Sequence, residues 1–224
     1  MPQTRRRAKR QPALGKASWE NFAVSCANMT LMTAALSKPM TIAAFLDWEE
    51  RQPLKYEFDG FRAVAMTGGT AAHAAIQRNL AVSIGVRLRG RSCHYFGNDL
   101  KIGLSGRVRY PDGFVVCSAV PPRATIVYDP VVIFEVLSDS SARTDLVTKN
   151  HEYSTIQSVR RCVVLSQDER AGTMFERIGD DWVGHLLAED FILRMPEIGI
   201  EVPLAEIYEG VEFGVLEEAS DQPG

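Results

Sequence analysis

Apolar residues in the middle of the chain follow a helical spacing in some segments and form short continuous runs in others. Residues 41–52 and 70–90 have the helical spacing, and Thr41 and Thr70 stand where a capping residue is expected. In the second segment, the apolar residues that recur at every fourth position are Ile76, Leu80, Ile84 and Leu88. Gly90 follows them and is suited to end a helix. The pattern therefore predicts two helices in the first half of the chain.

The continuous apolar runs predict strands in a partly buried sheet. These runs lie at residues 94–104, 113–120, 131–138 and 160–168. Two further segments have the pattern of hairpins, each with an adjacent Asp and Gly at the turn. They are residues 54–66, with Asp59-Gly60, and residues 173–188, with Gly179-Asp180. A third helix is predicted over residues 138–157, and strands separated by a helix indicate an α/β layered fold.

Length and composition set the class of protein. The chain has 224 residues, of which 46% are hydrophobic, and this suffices for one domain with a substantial core. No apolar stretch approaches the roughly 20 residues of a membrane-spanning helix, so we predict a soluble protein without membrane association. The four cysteines, Cys26, Cys93, Cys117 and Cys162, form no CxxC or CxxH pair. Their spacing argues against a zinc site and fits idle thiols in a reducing compartment, which predicts a cytoplasmic location.

Charge is unevenly distributed along the chain. Residues 1–39 contain seven lysines and arginines against one acid, Glu20. We predict a disordered basic leader over this range, and the alternative is a basic arm that binds phosphate groups. The domain itself is predicted to extend over residues 40–213, and residues 214–224 form an acidic tail.

Two carboxylates occupy positions where a sheet is expected to be dry. Asp112 directly precedes one apolar run, and Glu135 lies in the middle of another. A buried carboxylate is costly unless it has a partner, so Glu135 needs a cation, a donor network or a proton. If the two strands are neighbours, the acids converge and form a site that suits Mg²⁺. The alternative is a glutamate at a sheet edge that pairs with an arginine.

The segment after Glu135 contains a candidate partner for the two acids. Asp145, Lys149 and Tyr153 are spaced four residues apart and therefore share one helix face. Lys149 can reach from this helix toward the carboxylates and hold a phosphate oxygen. Alternatively, Asp145 and Lys149 form an exposed helix pair, and Tyr153 packs against the sheet.

Several motifs together resemble the Uma-two family of restriction-endonuclease-like proteins. In chain order they are YEFDG, a histidine before a helical run, YPD, IFEVLSDSSARTDLVTKNHEY, VVLSQD and VPLAEIYEGVEF. The resemblance covers residues 40–213. It implies the fold of the PD-(D/E)XK nuclease superfamily, a restriction-endonuclease-like mixed β-sheet flanked by helices, here with a closing β-hairpin at residues 173–188.

The resemblance also implies a role for individual residues. Asp112 and Glu135 correspond to the two metal-binding acids of the family, and Glu57 corresponds to an upstream acid that completes the site. The lysine expected two residues after the second acid is replaced by Leu137. Lys149 is similar to the relocated lysine of such families. The last site residue implied is His73, at the position of a helix histidine, as a substrate-binding residue. The alternative is a surface or capping histidine.

The function implied is a metal-dependent endonuclease that uses Mg²⁺, or alternatively Mn²⁺, to activate water against a phosphodiester. We expect DNA rather than RNA as the partner, and a homodimer. Outside the leader, 18 basic residues stand against 27 acidic ones, which opposes nucleic-acid binding unless the basic residues cluster. They do so at Arg87, Arg89, Arg91, Lys101, Arg107 and Arg109. Of these, Arg107 and Arg109 are the predicted substrate contacts. The alternative function is a catalytically inactive relative with a binding or regulatory role.

Overall fold

The computed structural model describes residues 40–66, 68–137, 142–188 and 190–213, with the backbone alone described at residues 142–146. The predicted leader (1–39), the predicted tail (214–224) and the side chain of Asp145 lie outside the described residues. Within the described part of the chain, no helix combines the length and the apolar composition needed to cross a membrane.

Two of the four described helices begin where the sequence predicts, directly after Thr41 and Thr70. The four are α1 (Ile42–Glu49), α2 (Ala71–Arg87), α3 (Ala142–Ser154) and the short α4 (Leu204–Ile207). The side chains of Thr41 and Thr70 accept hydrogen bonds from the backbone N–H of Ala44 and His73, at 3.2 and 3.1 Å. Both threonines therefore satisfy a donor that the first helical turn leaves free, as predicted.

Three sheets make up the β structure of the described residues. The strands are β1 (Tyr56–Phe58), β2 (Ala63–Ala65), β3 (His94–Gly97), β4 (Lys101–Leu104), β5 (Arg107–Arg109), β6 (Gly113–Val116), β7 (Ile126–Val127), β8 (Pro130–Leu137), β9 (Arg161–Ser166), β10 (Gly172–Ile178), β11 (Asp181–Leu187), β12 (Ile192–Met195) and β13 (Ile200–Pro203). A six-stranded sheet has the order β11-β10-β9-β8-β6-β3, a five-stranded sheet has the order β2-β1-β5-β4-β7, and β12 pairs with β13. In the larger sheet β8 and β9 are parallel and the other pairs are antiparallel, so the predicted mixed sheet is confirmed.

Strand β8 is buried on both faces, because the chain covers each face with a helix. Val132, Phe134 and Val136 belong to the core cluster that includes the apolar stripe of α2. Ile133 belongs instead to a second cluster, which includes Tyr153 of α3. Successive side chains of a strand point to opposite faces. Glu135 therefore lies on the α3 side of the sheet. A carboxylate in this apolar layer needs a hydrogen-bond or ionic partner.

One predicted strand is in fact two. Residues 94–104 divide into β3 and β4, which belong to different sheets, with Asn98–Leu100 between them. The polar residues Asn98 and Asp99 interrupt the apolar run at this point. This division matters for the site. Strand β4 belongs to the five-stranded sheet, which contains β1, whereas β3 belongs to the six-stranded sheet, which contains β8.

The expectation of idle thiols is wrong for two of the four cysteines. Cys93 and Cys117 form a disulfide, whereas Cys162 is free and buried. Cys93 directly precedes β3 and Cys117 directly follows β6, and these strands pair with His94 opposite Val116. The pairing therefore places the two cysteines opposite each other, although 24 residues separate them in sequence. Cys26 lies outside the described residues.

Candidate active site

Asp112 directly precedes β6, and Glu135 lies in the neighbouring strand β8. Strands β6 and β8 are antiparallel, with Gly113 opposite Phe134. One step further along this register, Asp112 comes opposite Glu135. The two acids that the sequence singled out thus meet at one end of the β6–β8 pair.

Three donors hold the Asp112 carboxylate in place. The backbone N–H of Val136 donates to Oδ2 and the side-chain amide of Gln77 donates to Oδ1, each at 2.6 Å. His73 Nε2 lies 3.3 Å from Oδ2. The hydrogen bond to Asp112 raises the pKa of His73, against the effect of burial, and the charge on Glu135 adds to the increase. His73 therefore contacts the site and does not serve only as part of a helix cap.

Gln77 is a site residue that the sequence analysis missed. It lies one helical turn after His73 in α2, so both side chains face the same direction. The four-residue spacing from His73 could have identified Gln77 in the sequence, but only if His73 was already known to face the acids.

Glu135 is buried and has two partners. Its Oε1 accepts a hydrogen bond of 2.5 Å from the Tyr153 hydroxyl and lies 4.0 Å from Lys149 Nζ. Burial raises the pKa of Glu135 to about 7. Lys149 and the Tyr153 hydroxyl oppose the increase, whereas the charges on Asp112 and Glu57 add to it. This carboxylate therefore ionises less readily than an ordinary glutamate.

Glu57 and Lys149 complete the cluster from two other elements, β1 and α3. Lys149 Nζ lies 3.0 Å from Glu57 Oε1, which also accepts a hydrogen bond from the backbone N–H of Tyr110. Burial alone lowers the pKa of Lys149, but the charges on Glu135 and Glu57 outweigh burial and raise it. Lys149 therefore remains a cation among the acids, in contact with Glu57 and Glu135.

These side chains all line one cavity of about 430 Å³. They are Glu57, His73, Asp112, Glu135 and Lys149. Leu137, at the position in β8 where the resemblance implies a lysine, lines the same cavity. The Lys149 ammonium group reaches this cavity from α3, and its role as the relocated lysine stays a prediction.

The donor chemistry of the cavity suits a hard cation. Carboxylate oxygens are the ligands that Mg²⁺ prefers, and Mg²⁺ is commonly held by one or two of them while it keeps several waters. Asp112 and Glu135 supply such a pair. Among the described residues, no group of three His, Cys, Asp or Glu side chains is placed to hold a metal ion. Asp112 and Glu135 therefore fit a two-carboxylate site, and the predicted metal-binding role of Glu57, which contacts Lys149, stays a prediction.

The structure does not place the predicted arginine contacts in the cavity. Arg109 is buried and donates to both oxygens of Glu152, at 2.8 and 2.9 Å. Arg107 lies 3.2 Å from the same carboxylate. Of the described residues that line the cavity, none is an arginine. Arg109 is thus held in a buried ion pair, and substrate binding by the half-exposed Arg107 stays a prediction.

Other members of the predicted basic cluster also have partners. Arg87 forms a two-point contact with Glu206 at 2.8 and 2.9 Å, and Lys101 lies 2.5 Å from Glu49 in a buried pair. These pairs attach α4 to α2 and α1 to β4. The cluster therefore contributes mainly to the fold.

Comparison with known proteins identifies a family. The family model Uma2, described as "Putative restriction endonuclease", matches residues 42–205. Two relatives come from Synechocystis sp. (strain ATCC 27184 / PCC 6803 / Kazusa). Uncharacterized protein slr1290 is 29% identical over 174 residues, which cover 75% of this chain and 91% of the relative. Uncharacterized protein sll1609 is 28% identical over 157 residues, which cover 67% and 88%.

A solved structure has the same fold. It is the crystal structure of a "putative nuclease belonging to DUF820" from Anabaena variabilis ATCC 29413. The TM-score is 0.66 and the sequence identity 16%, with 76% of this chain and 98% of that chain covered. This likeness confirms the predicted layered α/β fold.

Proposed function

Because the chain belongs to the Uma2 family of restriction-endonuclease-like proteins, we propose that it is a metal-dependent endonuclease that hydrolyses phosphodiester bonds of nucleic acid. One observation carries the proposal. Glu57, Asp112, Glu135 and Lys149 come from four separate elements and converge in one cavity. Each of the three acids has protein partners, but three carboxylates held beside one another in a cavity are still costly, and a cluster of perturbed ionisable groups in a cleft is typical of a functional site.

Asp112 and Glu135 would hold the ion, with Mg²⁺ as the first candidate and Mn²⁺ as the second. When bound, such an ion supplies an activated water and stabilises negative charge on the phosphate. The chain prepares this site in advance. Gln77, His73 and the Val136 N–H orient Asp112, and Tyr153 orients Glu135.

Lys149 acts on the substrate in this proposal. Its ammonium group lies between Glu57 and Glu135, 3.0 and 4.0 Å from their oxygens. A phosphate oxygen that enters the cavity can take the place of one carboxylate contact, because an ammonium group has three donors. The lysine would then stabilise the charge that develops on the phosphate during attack. DNA as substrate and a homodimeric state stay predictions.

Calorimetric titration with Mg²⁺ and Mn²⁺ tests the proposal. We expect the unmodified chain to bind the ion and Asp112→Ala to bind at least tenfold more weakly, because half of the anionic ligand pair is lost. Asp180→Ala is the matched control, since Asp180 is exposed at the β10–β11 turn. A nicking assay on plasmid DNA with the same proteins then connects ion binding to cleavage.

Two results would contradict the proposal. Equal ion binding by the unmodified chain and Asp112→Ala would show that the ion does not bind at the Asp112–Glu135 pair. Ion binding without cleavage of DNA or RNA would favour the second candidate function, a catalytically inactive nuclease fold that binds or regulates.

A further inference from the structure

The side chains of the proposed active site line a cavity and are mostly buried. The side chains of Glu57, His73, Asp112, Glu135 and Lys149 are only 11–20% exposed. The cavity volume of about 430 Å³ is that of a small-molecule pocket. A phosphodiester must therefore enter this space to reach the acids.

A duplex is poorly suited to that entry. The grooves of B-DNA alone are about 12 and 6 Å wide, and the duplex stays stiff over roughly 150 base pairs. A single strand bends freely and can direct one phosphate inward while its bases turn outward. The recessed acids therefore favour an unpaired strand.

The β1–β2 hairpin offers a place for an outward-turned base. Its tip presents Phe61, which is 78% exposed, and the exposed Arg62. The Asp59 carboxylate accepts the N–H of both residues at 2.8 Å, and Arg107 donates to the Asp59 carbonyl at 3.1 Å. The tip is thus held in shape, so contact with a ligand costs little ordering entropy.

The hairpin tip is close to the cavity. Its two strands pair Glu57 with Val64, and both of these residues line the cavity. Phe61 is three residues from Val64, or about 10 Å along a strand. A base a few nucleotides from the scissile phosphate can therefore reach the ring.

We propose that the site accepts single-stranded nucleic acid and that Phe61 stacks on an unpaired base a few nucleotides from the scissile phosphate. The inference rests on the proposed function for the position of that phosphate. Aromatic rings provide stacking platforms that accept any base, and a guanidinium group such as that of Arg62 adds attraction for the strand. Isolated exposed apolar residues are common on protein surfaces, and Leu186 of β11, at 84% exposure, is one of them. Phe61 differs because it lies on the hairpin that contains Glu57.

Fluorescence anisotropy with a labelled 20-nucleotide single strand and its duplex, at one fixed salt concentration, tests the inference. The background is Asp112→Asn, which removes one carboxylate charge and prevents cleavage under the proposed function. We expect the single strand to bind at least tenfold more tightly than the duplex. Phe61→Ala should weaken single-strand binding about tenfold, the size of one stacking contact.

Two further substitutions separate stacking from general apolar contact. Phe61→Trp should retain binding, whereas Phe61→Leu should lose as much as Phe61→Ala. Leu186→Ala, the matched exposed apolar control, should bind like the parent. Unchanged single-strand binding in Phe61→Ala, equal or tighter duplex binding, or no binding of either probe would overturn the inference.

The same proteins with Asp112 restored distinguish this inference from the proposed function. Metal-dependent cleavage that Phe61→Ala leaves unchanged would overturn the stacking inference and leave the endonuclease proposal in place. Single-strand binding that depends on Phe61, without cleavage by the unmodified chain, would overturn the endonuclease proposal and leave the stacking inference in place.

Discussion

Glu135→Gln should abolish the decrease in the free energy of unfolding that we expect for the parent as the pH rises. The same substitution should abolish the proposed nuclease activity. The carboxylate is buried in β8, and its pKa is raised from an ordinary 4.5 to about 7, chiefly by burial. Between these two pH values the folded state binds more protons at this group than the unfolded state does. The free energy of unfolding must therefore decrease as the pH rises through this window.

The size of the effect follows from the two pKa values. Their difference corresponds to about 3 kcal/mol, at 1.36 kcal/mol for each pH unit. This contribution is fully present below pH 4.5 and is lost by the time the pH exceeds about 7. Glutamine retains the shape and can still accept the Tyr153 hydrogen bond, but it cannot ionise. The difference in free energy of unfolding between the variant and the parent should therefore shift in favour of the variant as the pH increases.

Urea unfolding in the presence of EDTA, from pH 5 to pH 8, measures this difference. EDTA is needed because a bound cation would stabilise the ionised carboxylate and hide the effect. Glu201→Gln at an exposed position of β13 controls for the exchange of Glu for Gln, and its pH dependence should match that of the parent. Parallel pH profiles for the parent and Glu135→Gln would refute the argument that the ionised Glu135 is destabilising without a cation.

The same variant tests the chemistry of the site. In a nicking assay at matched Mg²⁺, Glu135→Gln should show no cleavage, because the ion loses an anionic ligand. Equal cleavage by the parent and the variant would place any nuclease activity elsewhere.

Three further predictions concern other residues. Lys149→Met should retain Mg²⁺ binding in calorimetry but slow cleavage about 100-fold, because the ammonium group acts on the phosphate, and loss of ion binding instead would contradict that role. Arg109→Ala should lower the free energy of unfolding by about 3 kcal/mol in urea, because the buried Glu152 then keeps only its 3.2 Å contact with the half-exposed Arg107, and adding Glu152→Leu should recover part of the loss. A chain that starts at Met40 should keep the thermal midpoint of the full chain, and a decrease of several degrees would show that residues 1–39 stabilise the domain.

Local pattern was sufficient for much of the fold. Thr41 and Thr70 cap their helices as predicted, because capping depends on residues within one turn. The apolar stripe of α2 is also a local periodicity, and it determines which side chains of that helix face the core. The candidate acids could be found in the same way, because a carboxylate in an apolar run is conspicuous without any structure.

The tertiary structure decided which residues meet. Gln77 reaches Asp112, and Cys93 reaches Cys117, only because α2 packs on β8 and β3 pairs with β6. The sequence suggested Arg109 as a substrate contact, but in the fold its guanidinium group donates hydrogen bonds to Glu152. Such contacts join residues tens of positions apart. Periodicity determines which face of an element is buried, but only the packing of one element against another determines what each side chain finds there.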